Sequence, residues 1–169
     1  GIYSFAAIIA EGFYQLIFAL KTNLNPILSK LASAKDKVRL EYLIHRGKKL
    51  SYYFIIISGI FAIAVYPLFL RTVIHNSLFF ESWQVFIILI LGIMLTAGYL
   101  PFQMILAQAG FPQSYTKMIV FLFLGNVALN FLLVPLLGMY GSALATGLAN
   151  IASVIQMKIL IKKYLQINI

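Results

Sequence analysis

One acid stands inside an uncharged apolar run: Glu11 is the only charge in residues 2–20. A carboxyl group at mid-bilayer depth is costly and usually faces a cavity or a partner. Two roles fit it: taking up a proton as a cavity changes sides, or packing in a hydrogen-bonded state against Gln15 or a polar group of a neighbouring helix. Gln15, Gln103, Asn126 and Asn130 are further polar groups within apolar stretches. Each reads either as lining for a polar path or as the interhelical hydrogen bonding that holds membrane helices together. Arg71 follows a second apolar run, where a guanidinium either attracts a phosphate or snorkels to the interface. His45 and His75 are separated by a bilayer-length run and cannot share a site. There is no cysteine, no HExxH, no Gly-rich phosphate loop and no Ser/His/Asp set. The four acids, Glu11, Asp36, Glu41 and Glu81, fall at three depths, which argues against an enzyme.

The net charge of +9 would suggest nucleic acid on a water-facing fold. Here the bases crowd between apolar runs, 62% of the chain is hydrophobic and 10% is charged, and the mean hydropathy is +0.96. That is an integral membrane composition. Membrane lipids are the expected surroundings, and no nucleic-acid partner is expected.

The elements that must position these groups are apolar helices. Residues 21–49 hold eight bases, Lys21, Lys30, Lys35, Lys37, Arg39, Arg46, Lys48 and Lys49. A basic segment between two bilayer-length runs reads as a cytoplasmic loop. Residues 51–70 are uncharged, as are 82–116 and 118–157. The last run is about 60 Å as helix, two crossings of a core roughly 30 Å thick, with Pro135 and Gly138 marking the turn between them. The expected fold is all-α integral membrane, with about five transmembrane helices over 2–24, 51–73, 83–108, 115–137 and 139–163. Pro101 should bend the third helix. Small residues from Gly141 to Ala149 suit close packing of the fifth. Between the first two helices, residues 25–50 should form the basic loop, with a short amphipathic helix lying at the membrane surface on Val38, Leu40, Leu43, Ile44 and Leu50. The segments expected inside carry eight, one and three bases, and those outside carry Arg71 alone, including an outer loop with His75, Asn76 and Glu81. This alternation places the N-terminus outside and the C-terminus in the cytoplasm. Gly1 opens directly into an apolar run with no charged n-region, so the chain is expected to begin inside a longer protein.

The stretch Asn130-Phe-Leu-Leu-Val-Pro135-Leu-Leu-Gly138-Met-Tyr-Gly141-Ser-Ala143-Leu-Ala145-Thr146 resembles the hairpin signature of polysaccharide and O-antigen flippases. These belong to the multidrug/oligosaccharidyl-lipid/polysaccharide (MOP) exporter superfamily. Residues 1–7, the Asn25-Pro26-Ile27-Leu28-Ser29 stretch and the Ala107-Gln108-Ala109-Gly110 turn are similar to the same family. The resemblance implies the last five helices of a twelve-helix transporter, with the N-terminal bundle absent from these residues. It further implies a bacterial inner-membrane flippase that moves lipid-linked oligosaccharide by alternating access, with no cofactor and with coupling to H+ or Na+. Within the motif, Asn130 is expected to satisfy backbone freed near Pro135. The cationic cavity expected for an anionic lipid carrier is mostly missing from these residues. The alternatives are a cation-coupled multidrug exporter of the same superfamily and a non-transporting membrane subunit.

Overall fold

The computed structural model describes residues 1–75 and 77–167, and the described residues are all-α, with no strand. Asn76, part of the expected outer loop, lies outside them. The order is α1 (Ile2–Ser33), α2 (Lys37–Phe69), a π-helical turn (Leu70–Ile74), a 3-10 turn (Ser77–Phe80), α3 (Glu81–Thr96), a second 3-10 turn (Leu100–Phe102), α4 (Ile105–Gln108), α5 (Pro112–Leu137) and α6 (Met139–Leu165). Four of the helical stretches are long and apolar enough to cross a membrane. There are five if α3 and the segment Leu100–Gln108 count as one broken span. The chain is a membrane-embedded helical bundle.

The first two helices are longer than their sequence suggests. The helix that carries the first expected span continues past residue 24, through Pro26, to Ser33. Proline cannot donate to the carbonyl four residues back, yet Leu28, half a turn further on, is fully buried, and that packing holds the helix together. The chain turns at Ala34, Lys35 and Asp36. Lys35 takes a left-handed backbone (φ +54°), and the Asp36 carboxylate caps α2 by accepting from the Arg39 N–H at 3.0 Å. No separate surface helix lies between the spans: α2 runs unbroken from Lys37 through the basic stretch into the membrane run. Leu40 and Ile44, spaced i, i+4, are buried against Leu28, Ile105, Leu106, Met157 and Ile161. The amphipathic stripe is therefore spent on protein rather than on head groups, leaving Val38 and Leu50 exposed.

Two cores are stacked along the bundle. One lies among the apolar runs and joins Ala6, Ala10 and Ile17 of α1 to Ile55 and Tyr66 of α2, Phe86, Ile90 and Ile93 of α3, and Ala143 of α6. The other, around Leu28, Ile44, Phe102 and Met157, lies at the basic end. There the start of α2 meets the end of α6 through Lys37 Nζ and Gln166 Oε1, 2.9 Å apart.

The third span breaks rather than merely bending. α3 stops at Thr96, and the segment from Leu100 leaves at 61°. Pro101 has no N–H for the Ala97 carbonyl, so the ladder ends ahead of it. The freed Leu95 carbonyl is taken by the Tyr52 hydroxyl at 3.0 Å.

α5 and α6 turn on the single residue Gly138, whose φ of +56° and ψ of −129° belong to glycine. Asn130 does not serve Pro135, as the motif reading expected. Its amide donates up the helix to the Asn126 carbonyl (2.9 Å) and side-chain oxygen (3.0 Å). Along α6, Gly141, Ala143, Ala145, Gly147, Ala149 and Ser153 are buried, so the small residues do form the packed face. At Gly147 the crossing with α3 is tight: a Cβ on Gly92 would lie 2.9 Å from the Gly147 Cα.

Candidate functional site

α1 and α6 both pack on α3 without packing closely on each other. The gap between them is a groove floored by Leu89 and Ile93 of α3. It has two confluent lobes, of about 570 and 360 Å³, that share Tyr14, Gln15 and Asn150. Glu11 and Thr146 border the larger lobe. Lys21, Leu100 and Gln103 border the smaller one, towards the basic end.

The helical register of α1 builds one wall. Tyr3, Ala7, Ala10, Tyr14 and Lys21 recur at three-, four- and seven-residue steps and so share a face, with Glu11 and Gln15 at its exposed edge. From Glu11 to Lys21 the rise is about 15 Å, so the wall runs from a carboxylate in mid-span to an ammonium at the basic end, with amide and phenol groups between. Across the groove the side-chain amide of Asn150 donates to the Tyr14 hydroxyl. One turn beyond Lys21, Asn25 continues the polar line: its Nδ2 lies 3.9 Å from the Met104 sulfur, and its Oδ1 is buried without a hydrogen-bond partner.

Of the residues singled out in the sequence, the groove gathers Glu11, Gln15 and Gln103. It does not gather the other three. Asn126 and Asn130 pair with each other on α5, a helix that contributes nothing to either lobe. Arg71 sits in the π-helical turn at the opposite end, its guanidinium 5.7 Å from the Phe80 ring centroid. That contact matches an interfacial arginine resting on an aromatic ring.

Tyr14, Asn150, Thr146 and Lys21 were missed. Lys21 has a legible signal, since positions 7, 14 and 21 are successive heptad steps on one helix face, but it also opens the basic stretch that follows. Asn150 carries the same signal as Asn126 and Asn130, an amide within the uncharged run 118–157, but its role depends on which helix faces it.

The groove offers amide, phenol and aliphatic hydroxyl groups, with one charge of each sign. Such a wall suits a ligand carrying many hydroxyl groups. On the open side Glu11 and Gln15 are exposed, and a charged group facing hydrocarbon in mid-span costs about 2.5–3.5 kcal/mol on insertion scales. That side is accordingly one for water or protein rather than acyl chains. No family model matches the chain, and no curated protein and no solved structure matches it.

Proposed function

We propose that the chain is one helical bundle of a membrane transporter, a flippase that moves lipid-linked oligosaccharide across the bacterial inner membrane by alternating access. The observation that carries this reading is the polar groove running along α1 from Tyr3 to Lys21 within an otherwise apolar bundle. A sugar chain crossing a bilayer needs its hydroxyls satisfied throughout, and amides, phenols and one carboxylate along one wall supply that. The exposed edge at Glu11 and Gln15 calls for a facing body, and an opposing bundle of the same protein would close the path. With the basic end in the cytoplasm, the N-terminus of this chain lies outside, and the Lys21 end of the groove is where an anionic carrier would enter.

The test is export of lipid-linked oligosaccharide by the full-length protein carrying Glu11→Gln, with membrane insertion measured alongside. Export falling tenfold or more at unchanged insertion supports the reading. Unchanged export removes Glu11 from the mechanism.

Glu11 itself favours a second reading, because a lone carboxylate in a groove also attracts cations. A cation-coupled multidrug exporter would expel small cationic compounds from loaded vesicles and leave lipid-linked sugars where they are. Transport of neither class by the complete protein would favour a non-transporting membrane subunit.

A further inference from the structure

The seam between α3 and α6 has two sides. One contributes Leu89, Ile93, Thr146 and Asn150 to the polar groove. The other carries an apolar furrow of about 190 Å³, with Gly92 and Gly147 at its base and Leu91, Leu95, Leu148 and Ile151 along it. We propose that this furrow, together with Lys48, Tyr99 and Lys158 beyond its basic end, is a binding site for one anionic glycerophospholipid, with an acyl chain in the furrow and the phosphate on the two lysines.

Helix register joins the two parts. On α6, Leu144, Leu148 and Ile151 line the furrow, and the same stripe continues at three- and four-residue steps through Ile155 to Lys158. On α3, Leu91 and Leu95 lead at four-residue steps towards Tyr99, in the turn where the span breaks. α2 closes the cluster from the side, since the Tyr52 hydroxyl holds the Leu95 carbonyl and Lys48 lies one helical turn before Tyr52. The Lys48 Nζ is 4.4 Å and the Lys158 Nζ 4.5 Å from the centroid of the same Tyr99 ring.

Charge and length both select the ligand. Two ammonium groups brought to one ring repel each other, and an anion at the ring edge turns that repulsion into two attractions, with the phenol O–H as a third donor. From Leu148, in the middle of the furrow, to Lys158 the helix rises about 15 Å. The hydrocarbon half of a bilayer is about 15 Å thick, so an acyl chain lying along the furrow delivers its phosphate to the lysines. The furrow has almost no polar surface, which suits an acyl chain and not a sugar. This site is separate from the groove and does not depend on what the groove carries.

The experiment is electron spin resonance of the full-length protein in bilayers containing spin-labelled phosphatidylglycerol or phosphatidylcholine. An immobilised component that prefers phosphatidylglycerol is expected, and Lys48→Ala/Lys158→Ala should reduce the preference at least about fivefold, the scale of one interfacial base. Lys162→Ala/Lys163→Ala removes the same charge from the same end and should leave the preference in place. Leu148→Trp, which fills the furrow, should shrink the immobilised fraction with both lysines present. Equal loss in the two double-lysine variants would mean diffuse surface attraction and overturn the site. So would the absence of an immobilised lipid in the unaltered protein. Complete displacement by excess inorganic phosphate, combined with indifference to Leu148→Trp, would reassign the lysines to a soluble anion and likewise overturn the lipid.

Discussion

The Asn150 side-chain amide on α6 donates to the Tyr14 hydroxyl on α1, tying together across the groove two helices that do not pack closely on each other. Removing either partner should loosen the groove without dismantling the bundle. Tyr14→Phe should cost about 0.6 kcal/mol and at most about 1.7, the range measured for interhelical hydrogen bonds in a membrane protein. The unfolding free energy in bicelles gives the number. A loss of several kcal/mol would mean that Tyr14 supports the core itself.

The contact between Gly92 and Gly147 is unequal, and the inequality is testable. A Cβ on Gly92 meets the Gly147 backbone at 2.9 Å, whereas a Cβ on Gly147 has 3.7 Å to the Gly92 Cα. Gly92→Ala should therefore destabilise by about 1–3 kcal/mol, as overpacking does, and Gly147→Ala by clearly less. Thermal unfolding in detergent ranks the two, and the reverse order would contradict the crossing described for α3 and α6.

Ile44 is fully buried among Leu28, Phe102, Met157 and Ile161, whereas Val38, six residues earlier, is 79% exposed. Ile44→Ala should cost about 2–5 kcal/mol, as deletions in packed cores do, and Val38→Ala next to nothing. If the basic stretch lay flat on a membrane, both changes would instead weaken lipid binding and leave stability alone. Chemical denaturation of the two variants separates these pictures.

Gly138 is the sole residue between α5 and α6, and its backbone region is closed to residues with a Cβ. Gly138→Ala should cost about 1–3 kcal/mol. Protease sensitivity at the hairpin should rise in step. An unchanged melting temperature would show that the turn can adopt another conformation.

Residues 1–169 contain no cysteine, so single thiols can probe the surroundings of α1 and α2. Gln15 and Ile57 are both exposed, yet one edges the groove and the other, at 67% exposure, faces outward from α2 among Phe54 and Phe61. In bilayers, Gln15→Cys should react with a water-soluble maleimide at least tenfold faster than Ile57→Cys, because the thiolate forms only in a wet environment. Similar rates would mean that the groove edge is dry.

Much of the membrane part was legible because one signal dominated it. Forty uncharged residues interrupted by Pro135 and Gly138 leave little choice but a helical hairpin, and the small residues of α6 announce a packed face. The basic stretch was harder, since its charges say "water" and its Leu40–Ile44 pair says "core". Only the tertiary neighbours of α1, α4 and α6 decide between a helix on a membrane and a helix on a protein. The break in the third span was placed at its proline, but the ladder fails four to five residues earlier, at Thr96 and Ala97, where the missing N–H would have been received. In the groove, Glu11, Gln15 and Gln103 stood out as charged or amide groups on apolar helices. Tyr14 did not, because a tyrosine in such a run looks like packing until the amide opposite it is known.

α2 is 33 residues long, about 50 Å at 1.5 Å per residue, against a hydrocarbon core near 30 Å. With its N-terminal turns packed around Leu40 and Ile44 on the ends of α1 and α6, the bundle has a packed shoulder some 20 Å long left over beyond one crossing of such a core. A membrane protein is hard to orient in electron micrographs where the surrounding belt of lipid or detergent hides it. A shoulder standing clear of that belt would give image alignment an ordered feature to grip.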